Sequence, residues 1–197
     1  MAKSTRQKLC EAAIELFSKD GYDAVSTKKI AEVAGVSEMT LFRHFGTKSK
    51  LYEDAYDTYV YQPNFETLFE RGLKGDVEID LLRIGHVYLD ALYMNKSLIL
   101  MEIRSKSGES SDRPLLTKAP VRLKNAIIAY LDDLKNEGII KNDDTEMIAV
   151  SFISSILGHF FREVITHQSI TEITAVDGID YSIRKFVNSI LSNAESE

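Results

Sequence analysis

Apolar positions along the chain recur three and four apart and nowhere alternate over any length, so the pattern predicts helices from end to end. Leu9, Ala12, Ala13, Leu16 and Phe17 share one face of a first helix. Ser4-Thr5-Arg6-Gln7 opens it in the S-x-x-Q form of a capping box, and Asp20-Gly21 closes it. A short second helix follows Ser26, with Ile30, Ala31, Val33 and Ala34 as its apolar face. Gly35 allows a bend at positive φ, and Val36 is placed to plug the space between two helices. Ser37 caps a third helix on which Leu41 and Phe45 lie four apart. Thr47 caps a fourth that runs through Leu51, Tyr52, Ala55, Tyr56 and Tyr59 and must end near Pro63.

The rest of the chain reads as five longer helices. They cover about 77–93, 96–106, 114–137, 147–165 and 178–191, with a polar loop at 107–113. Pro120 is expected to kink or split the seventh, and Gly138 to stop it. Asp143 with Glu146 gives the eighth a D-x-x-E start resembling a capping box. That helix is apolar nearly all the way round, which calls for burial on more than one side. Ser151, Ser155 and Gly158 form a strip of small residues along it, with Ser154 beside them. The ninth carries a stripe of Ile179, Ile183, Phe186, Val187 and Ile190. These residues, with Arg162, are the expected interface of a homodimer in which helices eight and nine pair with their copies.

The fold class is therefore all-α. A three-helix domain over 1–47 precedes a larger helical domain over 48–197, and the fourth helix is the natural mechanical link between them. Helices two and three, joined at Gly35, have the form of a helix-turn-helix, whose second helix serves to enter the major groove of DNA. Glu38, Met39, Thr40, Arg43 and His44 fall on or near its outer face. Charge supports this use. Residues 1–52 hold nine Lys and Arg against six Asp and Glu, whereas 53–197 hold 15 against 24. A basic head on an acidic body suits phosphate contact at one end only.

This arrangement resembles the TetR family of bacterial transcriptional regulators. The resemblance rests on a leading amphipathic helix ending Asp20-Gly21-Tyr22, then T-x-x-IA-x-x-AGVS-x-x-TLF-x-x-F-x-x-K-x-x-L from Thr27 through Leu51. It implies that Thr27 and Lys48, at the starts of helices two and four, reach phosphates, with Lys28, Ser37 and Phe42 in the DNA-facing set. Thr40 would meet a phosphate or a base edge. Glu38 could accept from a cytosine amine, Met39 could touch a thymine methyl, and Arg43 could hold a guanine bidentately. Family members usually carry tyrosines where Phe42 and His44 stand, so a phosphate bond at 42 is lost and one at 44 passes to imidazole.

The resemblance further implies a small-molecule pocket between the middle helices of the body and a dimer on a palindromic operator. Candidate lining residues are His86, Tyr93, Met94, Met101, Phe152, Ser155, His159 and Phe160. The basic residues Arg104, Lys106, Arg113, Lys118, Arg122 and Lys124 make an island in the acidic body that could frame a pocket for an anionic, partly apolar ligand. An activator, or control by a protein partner, is the alternative to a ligand-released repressor.

Composition removes other classes. No G-x-S-x-G, phosphate-binding glycine loop or H-E-x-x-H occurs, and His159–Glu163 has the wrong order and spacing for a zinc helix. No enzyme, metal or cofactor is expected. The single cysteine, Cys10, cannot form an internal disulfide and fits a reducing cytoplasm. No run of eighteen apolar residues is present, so no membrane association is expected.

Overall fold

A computed structural model describes residues 3–104, 114–140, 143–165 and 171–192. Among these residues there is no strand, and the chain follows nine principal helices. They are α1 (Thr5–Asp20), α2 (Thr27–Ala34), α3 (Glu38–Phe45), α4 (Lys48–Tyr59), α5 (Val77–Met94), α6 (Lys96–Arg104), α7 (Pro114–Asn136), α8 (Thr145–Ile165) and α9 (Ala175–Ser192). A short helical turn, Phe65–Thr67, runs into a π-helical turn, Leu68–Gly72, between α4 and α5. The sequence pattern does not predict that segment, which is too short to show a period.

The chain forms two compact units. The first draws on 1–62 and 95–119, the second on 63–94 and 120–197. α6 thus belongs with the N-terminal helices. α7 is one continuous helix through Pro120, which falls where the units divide, so the expected split does not occur.

Hydroxyl caps set the starts of the first four helices. Ser4 Oγ accepts from the Gln7 N–H (3.2 Å) while Gln7 Oε1 accepts from the Ser4 N–H (2.9 Å). Ser26, Ser37 and Thr47 accept from Lys29, Thr40 and Lys50 in the same way. Each such cap stabilises a helix by about 1 kcal/mol. α1 then buries Leu9, Cys10, Ala12, Ala13, Leu16 and Phe17, one residue more than its predicted stripe. Ile30, Ala31, Leu41 and Phe45 are buried as expected, but Val33 is 47% exposed and Val36 only half-buried. The plug between α2 and α3 is therefore mostly Ala34, Leu41 and Phe45.

Three aromatic rings complete the core of this unit. Phe17, Tyr22 and Tyr52 lie with centroids 5.0–5.6 Å apart. Tyr52 Oη donates to Glu102 Oε1 at 2.6 Å, joining α4 to α6 inside the core. Asn95, also buried, accepts from the Tyr61 N–H (3.2 Å) and donates to the Tyr61 carbonyl (2.8 Å).

In the second unit α5, α8 and α9 share a core. α5 reaches α9 so closely at Gly85 that a Cβ there would lie 2.6 Å from Ile183 Cδ1. The carboxylate of Asp80, wholly buried, accepts from the N–H groups of Lys74 (2.7 Å) and Gly75 (2.9 Å) and from Tyr130 Oη (3.2 Å). α8 is capped by Asp144 and not Asp143: Asp144 Oδ1 accepts from Glu146 (3.0 Å) and Met147 (3.2 Å). Glu146 pairs with Lys124 and does not complete a capping box. α8 is long and apolar enough to cross a membrane by those criteria alone, yet Ile148, Ala149, Phe152, Ile153, Ile156, Phe160 and Val164 are buried within its own unit. It is a core helix.

The α9 stripe contradicts expectation. Ile179, Ile183, Val187 and Ile190 are each 5% exposed or less, packed inside their own subunit, and Phe186 lies half-buried against Phe152. Helical spacing marks a buried face without saying whose core buries it.

Gly35 has φ +70°, and a Cβ there would meet nothing within 4 Å, so its requirement is purely conformational. Gly35→Ala is expected to cost about 1–2 kcal/mol with unchanged helix content. Urea unfolding followed by circular dichroism measures this, and an unchanged midpoint would disprove it.

Candidate nucleic-acid interface

α3 is seated by Leu41 and Phe45, and Phe45 also lies under the Arg6 guanidinium at 4.9 Å. Arg6 is held in turn by Asp54 of α4. The opposite side of α3 has no cover within its unit. Met39 is 82% exposed, and Phe42, Arg43 and His44 are exposed beside it. This short, firmly seated helix thus holds two large apolar side chains, Met39 and Phe42, in water. Lys28 is exposed on the first turn of α2.

Hydrogen bonds fix how α2 and α3 present this surface. Thr27 Oγ1 donates to Glu38 Oε1 at 2.6 Å, tying the first turn of α2 to the first turn of α3. Glu38 also sits at the N-terminus of α3, where a negative charge is favoured by the helix dipole. Thr27 and Glu38, read from the sequence as separate phosphate and base contacts, are thus engaged with each other in the DNA-free protein. Ser37 Oγ and Thr40 Oγ1 share a hydrogen bond at 2.9 Å.

Lys48 is placed differently from expectation. Its ammonium donates to the Tyr22 carbonyl and lies over the Tyr22 ring at 4.2 Å and the Phe17 ring at 5.6 Å. Burial pulls its pKa down. This amine braces the α1–α2 turn against α4. The spacing of Lys48 from the turn carries no sign of that role.

The body residues singled out from sequence are placed as follows among the described residues. Met101 lies in the first unit, buried beside a groove of about 490 Å³ lined by Phe17, Tyr22, Asp23 and Ser97. Met94 is 68% exposed at the end of α5. Phe152 and Phe160 are core. His86 Nε2 pairs with Asp180 Oδ1 at 2.6 Å, and Tyr93 Oη donates to Glu163 Oε1 at 2.6 Å. Ser155 is half-buried. His159 borders a cavity of the second unit, about 490 Å³, with Arg162, Ile173, Tyr181 and Ser182; its Nε2 is 3.1 Å from Ser182 Oγ. In the basic island, Lys124 is paired with Glu146. Lys106, Arg113 and the polar loop 107–113 lie outside the described residues.

A capped helix-turn-helix with an uncovered second helix, followed by a larger helical unit, defines a DNA-binding regulator. The comparisons agree. Residues 9–55 match the family model for bacterial regulatory proteins of the tetR family. An uncharacterized HTH-type transcriptional regulator of Bacillus subtilis, YvkB, is 29% identical over 188 residues, 95% of this chain and 98% of the relative. NalD of Pseudomonas aeruginosa, the secondary repressor of the MexAB-OprM multidrug efflux pump, superposes with a TM-score of 0.72 at 15% identity, over 95% of this chain and 96% of NalD. A regulator from Saccharomonospora viridis in complex with choline gives 0.70 at 20% identity, over 93% and 95%. Residues 9–55 thus carry the DNA-binding region of the tetR family, and the chain along its length is similar to TetR-family transcriptional regulators. Its relatives regulate transcription and are not enzymes.

Burial, then the neighbouring Arg162, lowers the His159 pKa from its ordinary 6.5. The unfolded chain therefore takes up this proton first as pH falls. The contribution is fully present above pH 6.5 and is lost as pH drops through the folded value. His159→Gln is expected to flatten the acid side of a plot of unfolding free energy against pH. If wild type and variant give parallel curves, the imidazole is solvated.

Proposed function

We propose that this protein is a homodimeric repressor that holds a two-fold-symmetric operator and releases it when a small molecule binds the second unit. The observation that carries the reading is the exposed α3 face of Met39, Phe42 and Arg43, held at a fixed angle by buried Leu41 and Phe45 and by the Thr27–Glu38 bond. Arg43 reads a guanine, Met39 and Phe42 meet thymine methyls or sugar, and Lys28 with the first N–H groups of α2 takes a phosphate. Thr40, Ser37 and His44 supply further polar contacts, and Thr27 and Glu38 position the rest. That NalD is a repressor, and that the Saccharomonospora viridis regulator holds choline, supports repression and ligand control here.

The outer side of α8 supports the dimer. Ser151, Ser154 and Gly158 are exposed between apolar Met147, Val150 and Ile165. A Cβ on Gly158 would meet nothing within 4 Å, so a second helix has room to approach closely. The copy of α8 fills that space, with Ser155 and Arg162 at its margin and Val176 and Tyr181 as the exposed residues α9 can add. Two recognition helices on one dimer then require half-sites about one helical turn apart. An effector acts by preferring a conformation whose heads do not fit those half-sites, and its leverage equals its differential affinity for the two states.

Selection from randomised duplexes at two salt concentrations is expected to enrich a symmetric site whose affinity falls steeply with salt. Arg43→Ala should lose about 1–3 kcal/mol on that site and relax one base position, whereas Lys28→Ala should weaken all sequences alike and lower the salt slope by about 1. No enriched sequence from ligand-stripped protein would overturn the proposal. Ser154→Arg places a charge in the α8 face and should yield a folded monomer by light scattering, with much weaker operator binding. A wild-type monomer at micromolar concentration would remove the dimer.

A further inference from the structure

Among the described residues, one buried side-chain polar atom lacks a hydrogen-bond partner: the phenolic oxygen of Tyr88. Tyr88 lies in the middle of α5 and is 3% exposed. One turn to either side on its helix stand Ile84 and Leu92, both buried, and the Phe65 ring lies 6.5 Å away at 58°. Buried Tyr52 and half-buried Tyr130 both have carboxylate partners. Tyr52 donates to Glu102 and Tyr130 to Asp80. A buried hydroxyl left unpaired keeps the full desolvation penalty of the group. Phenylalanine would fill the same ring volume without that cost, so the ligand-free fold gains nothing from the oxygen.

We infer that the Tyr88 hydroxyl is a donor kept for the effector, and that the effector offers it an uncharged hydrogen-bond acceptor on an apolar or aromatic body. The inference rests on the ligand-responsive reading above and specifies the chemistry of the ligand. Two observations set the class. Burial alone raises the Tyr88 pKa, whereas Tyr130 also feels Asp80, Asp76 and Glu137. The phenol therefore stays a neutral donor, and among the described residues no charged group acts on it that could serve as counter-charge to a carboxylate or an ammonium. The Phe65 ring beside Tyr88 adds aromatic surface to these apolar surroundings, which suits an apolar or aromatic body. Directly after Phe65 the chain makes the π-helical turn Leu68–Gly72, a rare geometry that is frequent at functional sites.

The test is Tyr88→Phe in the full-length protein, with benzophenone as an uncharged aryl ketone, diphenylmethane as its ketone-free counterpart and 4-benzoylbenzoate as an anionic one. Without ligand, the variant is expected to unfold at higher urea than wild type, because the unpaired hydroxyl is gone. Wild type should bind benzophenone more tightly than either comparator. Tyr88→Phe should lose roughly 3- to 10-fold in benzophenone affinity and bind diphenylmethane unchanged. A variant less stable than wild type would show that the hydroxyl already has a partner, and would overturn the inference. So would equal benzophenone affinity in the two proteins, no benzophenone binding by wild type, or a preference for the anion. Operator binding is followed in parallel. If benzophenone binds through Tyr88 but leaves the operator complex intact, the anchor stands and the release mechanism fails; if neither protein binds any operator, the regulator reading fails.

Discussion

The N-terminal unit is organised around a cation taken partly out of water. The Lys48 ammonium rests on the faces of Tyr22 and Phe17 and donates to the Tyr22 carbonyl. An ammonium over an aromatic face is attracted by the ring quadrupole, by about 0.5–1 kcal/mol when exposed and about 2 when desolvated. That attraction offsets the loss of hydration that lowers the lysine pKa. The consequence is geometric. Lys48 is the first residue of α4, Tyr22 follows α1, and Phe17 is in the last turn of α1. One side chain thus fixes where α4 starts relative to the end of α1, and α2 and α3 are the chain between those two points. Tyr52, one turn further along α4, extends the same cluster to Glu102 of α6. The placement of α3 therefore depends, besides Leu41, Phe45 and the Thr27–Glu38 bond, on a cluster none of whose members belongs to the helix-turn-helix.

How much of this was legible in the sequence follows from the range of each interaction. Capping is local: a hydroxyl at N-cap meets an N–H three residues on, so Ser4, Ser26, Ser37 and Thr47 could be read from spacing. Gly35 is legible for the same reason, since positive φ is a property of one residue. The Asp144 cap was missed by one position because two adjacent aspartates fit the same rule, and only the helix start distinguishes them. Partnerships across long separations were not legible. Lys48 with Tyr22, Thr27 with Glu38 and Tyr52 with Glu102 join residues whose sequence gives no sign of the other.

The α8 and α9 faces show a second limit. A stripe of apolar residues at helical spacing states that a face is buried, and the same pattern serves an intramolecular core and a subunit interface. Ile179, Ile183, Val187 and Ile190 proved to be the former. The exposed part of α8 is less apolar than that stripe, with Ser151, Ser154 and Gly158 among its residues. Small side chains contribute little area per residue, but they let two backbones approach closely, so that in the proposed dimer main-chain and neighbouring side-chain atoms would supply the contact.

Where local physics and the fold disagree, a second demand on the residue is the economical explanation. Met39 and Phe42 hold apolar surface in water, although a polar residue at either position would keep α3 seated through Leu41 and Phe45. Tyr88 holds a polar atom away from water, although phenylalanine would keep the α5 core. The two departures are opposite in sign and lie in different units. Under the proposed function each is a group held for a partner: the α3 face for a duplex, and the phenol for an acceptor. On that reading neither group is needed for folding alone, and the proposed regulator keeps one surface for its operator and one interior group for its signal.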